Sequence, residues 1–259
     1  MKLPIFQLDA FTDRLFGGNP AAVVLMPKWL PDETLQSIAQ ENNCSETAFI
    51  LPRGELFDLR WFTPAVEVDL CGHATLASAH VLFHHGYTSS DEVVFRYQGG
   101  TLTVVREGDF LAMNFPAWPP TPIESSGAIT EALRATPREL HQSRDLLAVF
   151  DSQAEIESLS PDFSAIAKLD TFAVIVTAPG HGCDFVSRFF APGAGVLEDP
   201  VTGSAHCTLI PYWSNRLGKS KLHALQLSRR GGELFCEDHG ERVKIAGRVV
   251  EYLRGEIDV

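Results

Sequence analysis

Two segments of this sequence place acidic residues three to five positions before a glycine that can start a helix. They are residues 67–75, which contain Gly72, and residues 198–205, which contain Gly203. The first turn of a helix has free backbone N–H groups and the positive end of the helix dipole, so it attracts anions. Glycine lets a ligand approach that backbone closely. The amides near Gly72 and Gly203 are therefore candidates for binding a small carboxylate.

The polar residues of these segments also have simpler interpretations. Asp69, Asp199 and Ser204 could each cap a helix, and His73 could face water at a helix start. The occurrence of the same arrangement twice in one chain favours binding over capping.

The two segments belong to a repeat that extends over the whole chain. Arg60-Trp61-Phe62-Thr63-Pro64 recurs as Arg188-Phe189-Phe190-Ala191-Pro192, 128 residues later. The shift between Gly72 and Gly203 is 131 residues, and Gly99-Gly100 recurs 132 residues later as a second glycine pair. The order is kept while the shift drifts by only four residues, which indicates an internal duplication.

The duplication predicts an α+β protein with two pseudo-symmetric domains, each built on a mixed sheet. Helices are expected at residues 72–84 and 203–216, each followed by a hairpin. The proline-rich residues 116–122 can be neither helix nor central strand and should form an extended connector. We therefore expect domains at residues 1–117 and 118–259, with the last strand able to return to the first domain. A binding site is expected where the two halves meet.

Composition and charge limit the classes of partner that are expected for this protein. The 259 residues carry 33 acids and 21 bases, a formal net charge of −12. A surface of this sign repels phosphate backbones, so no nucleic-acid partner is expected. Apolar runs have the length of strands and are too short to span a membrane. Five cysteines without a CxxC pattern fit a reducing compartment, so we expect a cytoplasmic protein without membrane association.

Four motifs, in the same order along the chain, resemble those of the PhzF-like phenazine-biosynthesis family. The motifs are residues 11–21, Ser45-Glu46-Thr47-Ala48-Phe49, Cys71-Gly72-His73-Ala74-Thr75 and residues 198–205. The resemblance implies the diaminopimelate-epimerase-like fold, in which two pseudo-symmetric domains each wrap a sheet around a central helix. It also implies an enzyme, and it suggests a homodimer.

The characterised phenazine enzyme of that family is a cofactor-free isomerase that moves a proton and shifts a double bond in a cyclic amino-hydroxy acid. The resemblance assigns the acid/base role to Glu46 and supporting roles to His73, Asp199 and Ser204. Such chemistry needs a base whose pKa lies near the working pH, and burial beside another acid raises the pKa of a carboxylate. The expected partner is a small carboxylate substrate, with no cofactor and no metal. As a simpler interpretation, Glu46 could be a surface residue at a strand edge.

Two other functions stay open. Related amino-acid epimerases use two opposed cysteines, and Cys71 lies where the first is expected, at a helix start that can activate a thiol. The matching second-half segment has no cysteine, so Cys71 fits packing better than catalysis. The chain could also be a binding or scaffold protein without turnover. Gly17-Gly18-Asn19-Pro20 matches no nucleotide-binding fingerprint. His80, His84 and His85 lack the spacing and the further ligand of a metal site.

Overall fold

A computed structural model describes residues 1–124 and 126–259 of the chain. By their contacts, these residues divide into two compact units. The first consists of Met1–Asn114 and Ala246–Val259, and the second consists of Phe115–Ile245. The observed boundary between Asn114 and Phe115 precedes the proline-rich residues 116–122.

Strands make up most of the chain, and helices lie between groups of strands. As far as Pro116 they are β1 (Lys2–Ala10), β2 (Asn19–Leu25), α1 (Asp32–Asn42), β3 (Glu46–Arg53), β4 (Leu56–Phe62), β5 (Glu67–Val68), α2 (Gly72–His84), β6 (Glu92–Tyr97), β7 (Gly100–Glu107) and β8 (Phe110–Pro116). From Thr121 they are β9 (Thr121–Ile123), α3 (Gly127–Leu133), β10 (Glu139–Gln142), β11 (Leu146–Val149), α4 (Gln153–Ser158), α5 (Phe163–Ile166), β12 (Val174–Pro179), β13 (Phe185–Ala191), β14 (Val196–Asp199), α6 (Gly203–Leu217), β15 (Lys221–Gln226), β16 (Gly232–Asp238), β17 (Arg242–Gly247) and β18 (Val249–Asp258).

The first unit contains a mixed sheet with the strand order β18-β1-β2-β3-β4-β6-β7-β8. The pairs β2–β3 and β4–β6 are parallel, and the remaining neighbours are antiparallel. The short strand β5 adds to β4. The last strand, β18, pairs with the first, β1, so both ends of the chain lie in this unit.

Helix α2 is the central helix of the first unit. Almost all of its residues are buried, including Ala74, Leu76, Ala77 and Leu82. A helix that is apolar and small on every side must be covered on every side, and α2 contacts β1, β2, β3, β7 and β18. Helix α1 packs against the sheet through Leu35 and Ala39, in a separate hydrophobic cluster.

The second unit repeats these pairings. Its strand order is β9-β10-β11-β12-β13-β15-β16, with β11–β12 and β13–β15 parallel and the other neighbours antiparallel. Helix α6 takes the place of α2 and is largely buried as well. The order of antiparallel and parallel pairs along β1-β2-β3-β4-β6-β7 is the same as the order along β10-β11-β12-β13-β15-β16. The predicted α+β fold with an internal duplication is therefore confirmed.

The repeat extends to an ion pair. Arg60 on β4 binds Glu67 of β5, and Arg188 on β13 binds Glu198 of β14, each with an N–O distance of 2.7 Å. In both units this pair ties the strand that precedes the helix start to its neighbour. Among the described residues, no helix has both the length and the apolar character needed to cross a membrane.

Candidate active site

A tight glycine turn precedes the polar cluster of the first unit. Gly18 has a φ of +59°, and a Cβ at this position would collide with the carbonyl oxygen of Ala10, so only glycine fits. The turn leads into Asn19, the first residue of β2, which is fully buried.

Parallel pairing brings Glu46 to the same edge of the sheet. Strands β2 and β3 run parallel with Ala21 opposite Glu46, so both strands begin at this edge. Helix α2 starts there too, with Cys71 as its N-cap residue and His73 as its second helical residue. Asn19, Glu46, Cys71 and His73 thus form one cluster, which we call the polar cluster.

The polar cluster is centred on the imidazole ring of His73. Its Nε2 lies 2.9 Å from Oε2 of Glu46, and its Nδ1 lies 3.1 Å from Nδ2 of Asn19 and 3.5 Å from Sγ of Cys71. The His73 side chain is 5% exposed and that of Glu46 is 17% exposed. The interpretations of His73 as a water-facing residue and of Glu46 as a surface residue are therefore wrong.

Two opposing effects set the pKa of His73. Burial disfavours the imidazolium, but hydrogen bonding to Sγ of Cys71 and the charge of the Glu46 carboxylate favour it more strongly and raise the pKa well above its ordinary value. Asn19 can hydrogen-bond to either the neutral or the protonated ring, because its amide has both a donor and an acceptor. Burial, with the charge of Glu46 adding to it, raises the pKa of Cys71 to about 11. The thiol is therefore protonated at neutral pH and is a weak nucleophile.

The polar cluster also contains metal-ligating atoms. Single donor atoms of Glu46, Cys71 and His73 all lie within 4.8 Å of one another. Carboxylate, thiol and imidazole groups are all common metal ligands, but Sγ of Cys71 lies nearer Nδ1 than Nε2 of His73, so an ion between Nε2 and Glu46 would not reach the thiol.

The second unit holds the other predicted residues. Asp199 ends β14, Gly203 begins α6, and Ser204 follows it, half-buried. Thr202 is the N-cap residue of α6, so the interpretation of Ser204 as the N-cap is wrong. The hydroxyl of Thr202 donates to the Asp199 carboxylate, which ties Asp199 to the helix start.

Buried Gln226 holds this helix start in place. Its Oε1 accepts from the backbone N–H of Thr202 at 2.9 Å, and its Nε2 donates to the backbone carbonyl of Asp199 at 2.9 Å. One amide thus fixes both ends of the turn from β14 into α6.

Helix α6 also carries a buried histidine, for which residues 1–124 and 126–259 provide no acidic partner in contact. Nδ1 of His206 donates to the carbonyl oxygen of Thr202 at 2.8 Å. Burial lowers the pKa of His206 to about 4, so the ring is neutral at physiological pH.

Sequence reasoning identified Glu46 and His73, which the structure places in contact, but it missed Asn19 and Gln226. Asn19 lies within the motif of residues 11–21, in which the sequence predicts no site residue. The signal available was a polar residue at the head of the apolar strand β2. Gln226 lies at the end of β15, 24 residues after Thr202, and no local pattern marks it.

Comparison with known proteins agrees with this architecture. The family model for phenazine biosynthesis-like protein, PhzC-PhzF, matches residues 8–255. An uncharacterised isomerase of Pseudomonas aeruginosa is 51% identical over 257 residues, which cover 99% of each chain. A crystal structure of a PhzF-family protein from Enterococcus faecalis is 44% identical, covers 100% of each chain and has a TM-score of 0.98.

A more distant solved structure shares only the fold. The hydroxyproline epimerase of Agrobacterium vitis is 12% identical and has a TM-score of 0.62, with 99% of this chain and 92% of that chain covered. Relatives that cover nearly the whole chain are named isomerases, and the protein is an enzyme of the isomerase class. The match to the family model and the identity to these relatives show that the chain belongs to the phenazine biosynthesis-like protein family, PhzC-PhzF.

Proposed function

We propose that this protein is a cofactor-independent isomerase that moves a proton within a small carboxylate, either amino-acid-like or cyclic. Glu46 is the acid/base residue. The observation that carries the proposal is the buried contact between Glu46 and His73, 2.9 Å apart, at the edge of a sheet beside a helix start. Burial removes water that would otherwise compete for the proton.

The proton shift needs no external electrons. A Glu46 oxygen takes a proton from a carbon of the substrate. The electron pair of that C–H bond forms a new double bond to the adjacent carbon, and the electron pair of the original double bond moves to the far carbon. Glu46 then returns the proton to the far carbon of that system. One C–H bond breaks and another forms, so substrate and product are isomers. A positioned carboxylate of this kind supplies about 10²–10⁴-fold of rate enhancement.

His73 positions the carboxylate and stabilises its charge. Contact through Nε2 engages Oε2 of Glu46, which leaves the other carboxylate oxygen to take the proton. Asn19 holds the opposite side of the ring through Nδ1. A ring held on both sides keeps one orientation through the reaction, as acid/base catalysis requires.

The two helix starts are the carboxylate-binding groups of this proposal: the amides near Gly72 in the first unit, and the amides near Gly203 with the hydroxyl of Ser204 in the second. Donors of this kind also stabilise the negative charge that develops when a proton leaves. Asp199 supports the binding residues through its bond with Thr202. We place the enzyme in the cytoplasm, because its cysteine pattern fits a reducing compartment, and we expect a homodimer, as the family resemblance suggests.

A thiol-dependent epimerase is the second candidate. The 3.5 Å contact between Sγ of Cys71 and Nδ1 of His73 favours it, because a histidine can activate a thiol. The raised pKa of Cys71 and the presence of Thr202 at the matching position of α6 count against it. This candidate requires Cys71→Ala and alkylated enzyme to be inactive, and full activity in both would remove it.

The experiment that tests the proposal follows deuterium from solvent into carbon positions of candidate amino acids and cyclic carboxylates by NMR. Wild type should incorporate deuterium into at least one compound, and Glu46→Gln should lose this activity. Glu33→Gln, which changes an exposed acid in the first turn of α1, is the matched control and should exchange at the wild-type rate. Exchange by Glu46→Gln at the wild-type rate would refute the assignment. Binding without exchange by wild type would favour a non-catalytic binding protein.

A further inference from the structure

The buried amide of Gln226 is held in one orientation by the backbone of the turn that leads into α6. Its Oε1 accepts from the N–H of Thr202, and its Nε2 donates to the carbonyl of Asp199, each at 2.9 Å. A backbone N–H can only donate and a backbone carbonyl can only accept, so a reversed amide would lose both hydrogen bonds. Nε2 also lies 3.1 Å from the hydroxyl oxygen of Thr202.

That orientation decides where the hydroxyl proton of Thr202 points. Because Nε2 of Gln226 is a donor, the hydroxyl oxygen accepts from it, and the hydroxyl proton donates to the carboxylate of Asp199. The result is a directed chain of hydrogen bonds from the Gln226 amide through the Thr202 hydroxyl to the carboxylate. Hydrogen bonds in such a chain polarise and strengthen one another. The orientation of the Asp199 carboxylate therefore depends on a side chain that is itself only 1% exposed.

The first unit shows that a helix start of this kind forms without such a chain. Gln226 pairs with Gly232 at the end of the hairpin β15–β16, and Tyr97 pairs with Gly100 at the end of the hairpin β6–β7, so Tyr97 is the counterpart of Gln226. The ring of Tyr97 packs edge-on against Trp61, with the ring centroids 5.4 Å apart, and α2 nevertheless begins at its glycine. The chain is therefore not needed to start the helix, which favours a role in what the start of α6 binds.

We propose that Gln226 is a positioning residue of the second unit. It acts through Thr202 to hold Asp199 and the first amides of α6, those of Gly203 and Ser204, in the orientation that binds the substrate carboxylate. Gln226 does not contact the substrate, because its side chain is buried beneath the turn. The inference rests on the proposed function, in which the start of α6 binds the substrate.

Kinetics on variants of the chain separates positioning from catalysis. Gln226→Met fills a similar volume without a donor or an acceptor, so KM for a compound that the wild type exchanges should rise roughly tenfold or more while kcat stays within about threefold. Thr202→Val should also raise KM, whereas Thr202→Ser, which keeps the hydroxyl, should keep the wild-type KM. The double variant of Gln226→Met and Thr202→Val should raise KM by less than the product of the two single effects, because both break one chain.

Thr177→Val is the matched control for a loss of stability. The buried hydroxyl of Thr177 on β12 donates to the carbonyl of Val186 at 2.7 Å and accepts from Nε1 of Trp213 at 2.9 Å. This variant should lower the midpoint of urea unfolding, as Gln226→Met does, and should leave KM unchanged. An equal rise of KM in both variants would show that Gln226 acts only through stability, and would overturn the inference.

Binding can also be measured without turnover. Acetate and benzoate are titrated into the full-length protein while NMR follows the backbone amide signals of Gly203 and Ser204. At least one of these carboxylates should shift both signals in wild type, and Gln226→Met should bind it roughly tenfold or more weakly. Thr177→Val should bind it with the wild-type affinity.

Wild-type signals that respond to neither carboxylate, or an unchanged affinity in Gln226→Met, would overturn the inference. If Gln226→Met does not fold, Gln226→Glu decides, because an ionised glutamate cannot donate to Thr202 and a protonated one can. Its affinity relative to wild type should improve as the pH is lowered towards about 5, and a constant ratio would overturn the inference. Carboxylate binding that depends on Gln226 without deuterium exchange would refute the proposed function alone. Exchange with a KM that does not depend on Gln226 would refute this inference alone.

Discussion

The two helix starts of this duplicated chain have the same backbone plan and different side chains. Both helices follow a strand pair tied by an arginine–glutamate ion pair, and both begin at a glycine. At the start of α2 a half-buried carboxylate contacts a buried imidazole, whereas the start of α6 carries hydrogen bonds among Asp199, Thr202 and Gln226. Of the two starts, the one of α2 therefore has the pair of groups that the proposed proton transfer needs.

The two helix starts also differ in the pKa of their buried histidines. Burial disfavours the charged form of both His73 and His206. The pKa of His206 falls to about 4 because nothing offsets the burial except a backbone hydrogen bond, whereas Glu46 and Cys71 raise the pKa of His73 well above its ordinary value. A neighbouring acid therefore decides which of two equally buried rings can hold a proton at neutral pH.

The largest predicted effect separates these two histidines. His73→Gln, which retains a polar group near the position of Nε2, should lower kcat by about 10²–10⁴-fold because the contact with Glu46 is lost or misdirected. His206→Asn, which retains a donor near the position of Nδ1, should keep kcat within about threefold and change only stability. Steady-state kinetics on the two variants checks this. An equal loss of kcat in both would break the comparison.

The repeated ion pair predicts unequal costs in stability. Arg188 also donates to the backbone carbonyls of Ile156 and Leu159, whereas the further partner of Arg60 is the exposed Asp32. Arg188→Met should therefore lower the free energy of unfolding by about 3 kcal/mol, since it leaves buried acceptors unpaired. Arg60→Met should cost about 1 kcal/mol. Urea unfolding measures both, and equal costs would show that the extra carbonyl contacts contribute nothing.

A third contrast concerns carboxylates with buried oxygens. Neither Oδ1 of Asp145, a residue that precedes β11 and is 1% exposed, nor Oε2 of Glu46 has a well-aligned hydrogen bond among the described residues, but Oε2 of Glu46 lies 2.9 Å from Nε2 of His73. Burial raises the pKa of Asp145 from 3.8 to about 6. The folded state therefore binds this proton more tightly than the unfolded state, and the stability it contributes is lost as the pH rises from about 4 through about 6.

Asp145→Asn should remove the loss of stability that accompanies ionisation of this carboxyl group. The variant should be more stable than wild type by about 2–3 kcal/mol above about pH 7, and should show no gain near pH 4. Urea unfolding at both pH values gives the difference. A gain of the same size at both pH values would mean that ionisation of Asp145 is not its cause.

The smallest predicted effect sharpens the role of Asn19. Asn19→Leu removes the buried amide that contacts Nδ1 of His73; when the ring is charged, the amide oxygen accepts from it in a hydrogen bond worth about 1.5–3 kcal/mol. If the lost hydrogen-bond energy adds entirely to the activation free energy of the chemical step, kcat falls by roughly 10–150-fold with little change in KM. A pure increase in KM would instead place Asn19 in substrate binding.

The fold could be predicted from the sequence because matching residues of the two halves are separated by a nearly constant number of positions. Helix 72–84 matches α2 at both ends, and helix 203–216 ends one residue before α6 does. Apolar periodicity and glycine stops carry that information locally. Glu46 and His73 were named from motifs, and their contact depends on the parallel pairing of β2 with β3, which no local pattern specifies.

The residues that sequence reasoning missed act over long separations. Asn19 reaches His73 across 54 positions, and Gln226 reaches Thr202 across 24. Each is a single buried amide in an otherwise ordinary strand, so neither forms a spacing pattern. Only the three-dimensional contact gives such residues a role.

The central claim, that proton transfer belongs to the polar cluster of the first unit, is tested most directly by one comparison of two acids. Solvent deuterium entering the same substrate is followed by NMR in Glu46→Gln and in Asp199→Asn. We predict that Glu46→Gln loses exchange even at saturating substrate, whereas Asp199→Asn raises KM and keeps measurable exchange when saturated. Exchange that survives in Glu46→Gln and vanishes in Asp199→Asn would contradict the account.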